Sequence, residues 1–265
     1  MSCVMYFYIY DSFLVKKKYD KTLSKIETRL ASLDIAGRKH KLSILKSVSE
    51  ITHKILEQDT SPTIVVVGGD ETLCEAALPL LGTEATIGFI PTENDSLIAD
   101  ILGLPVNEYS CDVISARRIE YINLGKINNQ YFFSSIEFEP KQSLILADKK
   151  YQIIPKKIKS VKVINLDFLR FQRGIDGSPE EKIVSNPKDN HLEVLMGASQ
   201  QKLLFFKQKE KRDSLFFVKK LSIDPKNPKN EVLIRVDHKN IIKAPALIEV
   251  AKEKLKIIVG KDRLI

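Results

Sequence analysis

The stretch that most constrains this chain is Thr63–Leu81, TIVVVGGDETLCEAALPLL. Ile64–Val67 is an unbroken run of β-branched residues, which suits a parallel strand covered on both faces. Gly68, Gly69 and Asp70 then break the run. Leu73, Ala76, Ala77, Leu80 and Leu81 recur on one helical stripe, with Pro79 shortening the last turn and Gly82 as the stop. A strand that turns straight into a helix needs parallel neighbours and helical cover, so the spacing predicts an α/β layer. Gly68 and Gly69 let the backbone approach a ligand, and the free N–H groups at the helix start favour an anion. At that position Asp70 either caps the helix or holds a metal that bridges phosphates.

The flanking sequence repeats the strand–helix alternation. Val4–Tyr10 reads as a first strand, Lys18–Leu33 as an amphipathic helix, and Arg38–Leu42 as a short strand. A second helix is expected to start at or near Ser43, with Ile44, Val48, Ile51 and Ile55 facing inward. Thr86–Ile90 is a further strand, and the helix through Leu97, Ile98, Ile101 and Leu102 stops at Gly103. Asp11, Gly68–Thr72 and Thr92–Ser96 all follow strands. In parallel sheets ligands bind beyond the carboxyl ends of the strands, so these three loops are expected to share one crevice.

Beyond residue 115 the pattern becomes many short strands: Tyr121–Lys126, Tyr131–Phe138, Ser143–Leu146, Val161–Phe171, Leu192–Met196, Leu203–Phe206, Leu215–Leu221, Val232–Asp237, Ala246–Val250 and Leu255–Val259. Arg173–Asn190 reads as a long polar loop. Such a series implies an antiparallel sandwich or barrel. The charge changes in the same region. Residues 1–115 carry 11 Lys/Arg against 16 Asp/Glu, and residues 116–265 carry 31 against 18. The expected division is therefore 1–115, an α/β domain, and 116–265, a β-sandwich domain, to which the resemblance given below adds a nucleotide-binding role for the first and a lipid or substrate role for the second. The basic half either meets anionic lipid headgroups or is a solvated lysine surface.

No apolar run has the length of a membrane span, and Asp11 interrupts the apolar N-terminus, which reads as a strand rather than a signal peptide. Three cysteines without metal spacing fit a reducing cytoplasm. Scattered histidines give no metal motif. No recognition helix or aromatic RNA motif accompanies the basic half, so nucleic acid ranks last among partners.

VVVGGDETL, then IGFIP, then Gly103 twelve residues past Pro91, together resemble the catalytic domain of the diacylglycerol kinase family, which includes sphingosine kinases and bacterial lipid kinases. The family hallmark Gly-Gly-Asp-Gly-Thr falls on Gly68-Gly69-Asp70-Glu71-Thr72. Tyr121–Lys126 resembles the family's entry to its second domain, Asn186–Leu195 its Asp-Gly-Leu-Leu-Asp-Val segment, and Val232–Ile258 its closing strands. The resemblance implies an NAD kinase/diacylglycerol kinase-like α/β domain followed by an antiparallel β-sandwich. It implies ATP and Mg²⁺ as cofactors, with Gly68, Gly69, Asp70, Glu71, Thr72, Thr92 and Glu93 at the nucleotide and Asp70 at the metal. It implies transfer of the γ-phosphoryl group to a lipid hydroxyl, with Asp237 as the general base. The alternative is a weakened relative that binds nucleotide or lipid without efficient transfer. A cytoplasmic protein with peripheral membrane contact follows. NAD kinases share the Gly-Gly-Asp-Gly signature and stay a minor variant.

The departures cluster where the chemistry belongs. Glu71 replaces a glycine, Asn123 stands where the family has Asp, and Lys239 replaces the Glu of an Asp-Gly-Glu turn. The family's Gly-Thr-Gly-Asn-Asp-Phe-Ala loop falls on Glu93–Ala99, where only Ala99 matches, and Asn94-Asp95 is two residues out of register. Lys16–Lys18 either compensate as phosphate partners or are simply solvated.

Overall fold

The structure is a computed structural model that describes residues 5–43, 46–154, 158–171, 181–198, 214–237 and 239–265. The chain forms two compact units, residues 1–122 with 253–265, and residues 123–252.

In the first unit the β-branched runs become strands β1 (Tyr6–Tyr10), β2 (Arg38–Lys41), β3 (Thr63–Gly68) and β4 (Thr86–Pro91). They lie parallel in the order β2-β1-β3-β4. Strands β1, β3 and β4 are buried along their whole length. Edge strand β2, RKHK, is mostly exposed, and its charges blunt the open edge. The helices are α1 (Asp20–Ser32), α2 (Val48–Gln58), α3 (Asp70–Ala77), α4 (Leu97–Leu102) and α5 (Ser110–Ala116). Tyr8, Ile26, Leu30, Val65, Val67, Ile114 and Ile258 pack in one core. The strand order reverses between β1 and β3, which puts the topological switch point, and hence the crevice, at the ends of those two strands.

Local chemistry sets the helix limits. Helix α2 starts later than expected from Ser43: Ser47 is its N-cap and forms a capping box with Glu50. Ile44 lies outside the described residues. Two 3-10 turns, Ser12–Val15 and Lys17–Tyr19, precede α1. Pro79 sits in a 3-10 turn, Leu78–Leu80, that ends α3. Gly103 closes α4 in the left-handed conformation, φ 67°.

The remaining strands are β5 (Ile119–Ile127), β6 (Gln130–Phe132), β7 (Ser135–Phe138), β8 (Ser143–Ala147), β9 (Tyr151–Ile153), β10 (Ile158–Ile164), β11 (Phe168–Phe171) and β12 (Glu181–Val184), followed by β13 (Leu192–Ala198), β14 (Ser214–Val218), β15 (Lys220–Pro225), β16 (Leu233–Val236), β17 (Asn240–Lys243) and β18 (Ala246–Ile258). One sheet of the second unit is wholly antiparallel, in the order β14-β13-β10-β7-β16-β17. A second layer pairs β9, β8, β15 and the start of β18, also antiparallel. Ile136, Val163, Val194 and Ile234 of the first layer share one core with Ile145, Leu221 and Ile248 of the second, which is the sandwich arrangement. At its end β18 pairs parallel with β4 in the first unit, Lys256 opposite Thr86 and Ile257 opposite Ile87.

Three runs expected to be single strands are broken, Leu215–Leu221 dividing at Lys219 between β14 and β15, while the expected strands Ala246–Val250 and Leu255–Val259 are joined in β18. Tyr131–Phe138 divides at Phe133-Ser134, and Val161–Phe171 divides at Asn165–Asp167. Arg173–Asn190, expected as a loop, contains β12, which pairs with β11. Residues 173–180 of that stretch, and the expected strand Leu203–Phe206, lie outside the described residues. Among the described residues no helix is long and apolar enough to cross a membrane.

Candidate functional site

The loops after β1, β3 and β4 do meet, and they meet through hydrogen bonds to one another. Gly68 ends β3 beside Asp11, the residue that follows β1. A Cβ on Gly68 would lie 2.5 Å from the Asp11 Cβ, so this glycine is required by its neighbouring loop. The Asp11 carboxylate caps the first 3-10 turn through the Phe13 N–H and accepts from the Thr72 hydroxyl. Thr72 is thus tied back to β1.

Asp70 does not cap its own helix. The N-cap of α3 is Gly69, and Asp70 is the first helical residue. Its carboxylate reaches the start of α4 instead. Oδ1 accepts from the Ser96 hydroxyl, and Oδ2 accepts from the Ile98 N–H at 3.4 Å. Ser96 in turn accepts from the Ala99 N–H at 3.0 Å as the N-cap of α4. Burial raises the Asp70 carboxyl above the ordinary range, and the bonds from Ser96, Ile98 and Leu97 oppose that shift.

The other expected contacts are near by. Thr92 donates to the Gly68 carbonyl from its backbone N–H at 3.1 Å and from its hydroxyl at 3.4 Å. Glu71 and Glu93 are exposed. A Cβ on Gly69 would lie 3.7 Å from both Glu93 Oε2 and Phe13 Cε1, so an aromatic edge and a carboxylate already stand over the glycine. Lys16–Lys18 are exposed, and the Lys18 ammonium sits 4.6 Å from the centre of the Tyr19 ring.

Asp70 is the carboxylate here that would meet a Mg-bound triphosphate, and each of its oxygens already accepts one hydrogen bond, from the Ser96 hydroxyl and from the Ile98 N–H. A Mg²⁺ ion held with substrate phosphates takes only one or two protein carboxylates, so it would have to share Asp70 with those donors. Glu71 and Glu93 add negative charge at the mouth. A carboxylate about 4 Å from a phosphate charge costs on the order of 4 kcal/mol at an effective dielectric near 20.

Asp237 lies in the second unit, with φ 44° in the turn after β16. Its Oδ1 accepts from the N–H groups of Ser134 at 2.8 Å and Ser135 at 3.2 Å, and Oδ2 from Phe133 at 2.8 Å. Its own N–H donates to the Ser135 carbonyl at 2.9 Å. The carboxylate holds the corner where β6 gives way to β7. His238 of the same turn lies outside the described residues.

Sequence reasoning did not anticipate the polar corner around that break. Asn123, Ser134, Ser135, Asn165, Asp167, Ser185 and Glu193 are all buried. Lys162 pairs with Asp167 at 2.5 Å. Burial pushes the Glu193 carboxyl up to about 7. The available signal was Asn165 and Asp167 interrupting an otherwise apolar run.

No family model matches this chain, and no curated protein matches it. Solved structures do. A diacylglycerol kinase of Bacillus anthracis str. Sterne superposes with a TM-score of 0.74 at 18% identity, over 98% of each chain. Two further structures from the same organism, provisionally described as diacylglycerol kinases, give TM-scores of 0.75 and 0.74 at 16% identity, again over 98% of each chain. The fold of this chain is the diacylglycerol kinase-like fold along its whole length.

Proposed function

We propose that this chain is a lipid-binding protein on a diacylglycerol kinase-like fold, in which transfer of the ATP γ-phosphoryl group to a lipid hydroxyl has been weakened. The observation that carries this reading is the Asp70 carboxylate, bound by Ser96 and by the start of α4 rather than left open to a metal. Asp237, three times bonded to backbone N–H groups, is a brace before it is a base. Phosphoryl transfer depends on positioned charge, and here that charge is spent on holding loops together.

The lipid half of the proposal rests on the second unit. A groove of about 720 Å³ there has Phe138, Leu233 and Ile241 beside Lys141, Lys159 and Arg235, with Glu137, Glu139 and Glu231 in the same lining. Its apolar surface suits an acyl chain, and the basic second half suits peripheral contact with an anionic membrane.

A second reading, an active ATP-dependent lipid kinase, is favoured by the retained Gly68-Gly69-Asp70 and Thr72. It requires Asp70 to exchange Ser96 for Mg²⁺. Transfer of labelled phosphate from ATP to a panel of diacylglycerol and sphingoid lipids, with Mg²⁺, separates the two. Weakened transfer predicts turnover no higher than that of Asp70→Ala. Turnover well above that control would establish the kinase.

A further inference from the structure

The groove of about 720 Å³ in the β-rich unit has Glu137, Leu233 and Arg235 in its lining. Along β7 and β16 these residues alternate with Ile136, Ile234 and Val236, which are buried in the sandwich core. Successive side chains of a strand point to opposite faces, so the groove lies on the outer face of the six-stranded sheet.

Strand register sets three chemistries side by side on that face. Glu137 stands opposite Arg235 across β7 and β16, and Arg235 stands opposite Ile241 across β16 and β17. Residues directly opposite one another share a face, with Cβ atoms about 5 Å apart. An acid, a base and an aliphatic group therefore form one row. Ile241 is 64% exposed and Leu233 49%, so apolar surface lies open beside the charges.

The charges are of both signs and are not spent on one another. Glu231 is held by Lys243 at 2.7 Å. Among the described residues no ion pair holds Glu137, Glu139, Lys141, Lys159 or Arg235. Two carboxylates and three cations are thus left to one groove. A ligand with negative charge alone would be repelled by Glu137 and Glu139. A ligand with positive charge alone would be repelled by the three cations. A ligand that carries both signs meets each set with its opposite.

What the lining lacks selects the ligand's cation. Glu137 and Glu139 accept hydrogen bonds, so they suit an ammonium with N–H groups to donate. A quaternary ammonium has none and is held by aromatic faces instead. The one aromatic residue of the lining, Phe138, is 3% exposed. On the other side Arg235 suits a phosphate, which its planar fork binds through two N–H groups. The volume falls within the roughly 300–1,000 Å³ of sites that hold one small ligand, so it fits one headgroup and one chain rather than a patch of bilayer.

We propose that this groove binds a single-chain lipid with a phosphoethanolamine headgroup, its phosphate on Arg235, Lys141 and Lys159, its ammonium on Glu137 and Glu139, and its chain over Ile241. The site rests on the lipid-binding reading above and names the class of lipid.

The test is calorimetric titration of the full chain with lysophosphatidylethanolamine below its micelle concentration. Lysophosphatidylcholine, lysophosphatidic acid and an alkylamine of matched chain length are titrated alongside. The expected result is one site per chain, with lysophosphatidylethanolamine bound about fivefold tighter than each of the others, the scale of one exposed charge pair. Arg235→Ala and Glu137→Ala, both at exposed positions, should each weaken it about fivefold. Glu137→Ala should also narrow its lead over lysophosphatidic acid. Phe217→Glu, at an exposed apolar residue on the far edge of the same sheet, should change nothing. Equal or tighter binding of any of the other three would overturn the site. So would an affinity that either alanine variant leaves unchanged, or one that Phe217→Glu abolishes. Sedimentation with phosphatidylglycerol vesicles tests lipid binding separately. Pelleting without binding of any of the four amphiphiles would overturn the groove alone, and neither pelleting nor binding would overturn the lipid-binding reading with it.

Discussion

At the ends of β1, β3 and β4, Asp11, Asp70, Thr72 and Thr92 each have a partner in a neighbouring loop. In the corner of the β-rich unit, Asn123, Asn165 and Glu193 each keep an oxygen that has none. The first region carries the hallmark Gly68-Gly69-Asp70, and its one buried atom without a partner among the described residues is the Tyr10 hydroxyl on β1. The second carries no motif and three unmet demands. The difference teaches that a motif read from sequence does not by itself show an open site, whereas an unsatisfied buried group marks a demand that the protein's own hydrogen bonds leave unmet. A hydrogen bond made inside the protein competes with any ligand for the same lone pair, and the inside partner is always present.

The largest expected effect sharpens the contrast between brace and base. Asp237→Ala removes an acceptor from three backbone N–H groups and should lower the unfolding free energy by about 4 kcal/mol, at charge-assisted bond strengths of about 1.5 kcal/mol each. Urea unfolding measures it, and an unchanged midpoint would make Asp237 a free side chain. Next comes pH. Glu193 is raised by burial to about 7, from an ordinary 4.5, so the folded state binds the extra proton between those values. Stability therefore falls as pH rises through that window, by about 3 kcal/mol, and is level above it. Glu193→Gln should flatten the profile; an equally steep one in the variant would assign it to another group.

Smaller effects probe the closed loops. Gly68→Ala drives a methyl into Asp11 and should cost about 2 kcal/mol, as overpacking does. A neutral result would mean that the β1 and β3 loops part easily, as a ligand site demands. Ser96→Ala removes the N-cap of α4 and one partner of Asp70 together, for about 1 kcal/mol. Hydrogen exchange at Ala99 should rise with it; protection equal to wild type would show that the Asp70–Ser96 link holds nothing.

Much of the α/β layer was legible because its signals are local. The Ile64–Val67 run, the turn at Gly68 and the stripe from Leu73 sit within one short window and read directly as strand, turn and helix. The antiparallel half was legible as a series of short strands. The strand breaks were not, because Ser134 and Asn165 are single polar residues inside runs whose flanks stay apolar, and such residues also occur within unbroken strands. Their polar groups are satisfied by partners far along the chain, such as Asn165 with Phe133, and no local pattern encodes that. Nor does a local pattern show that the end of β18 returns to pair with β4. At the site, the sequence placed Asp70 at the right turn but could not say what it holds. That depends on Ser96, which stands where the family pattern has asparagine and which selects a loop-to-loop bond over an open carboxylate.

The central claim is that the strand-end loops are closed by their own side chains. Titration of the chain with ATP at fixed, saturating Mg²⁺, followed by calorimetry, tests it most directly. The account predicts no binding heat beyond dilution. Saturable binding of ATP that Asp70→Ala abolishes would contradict it.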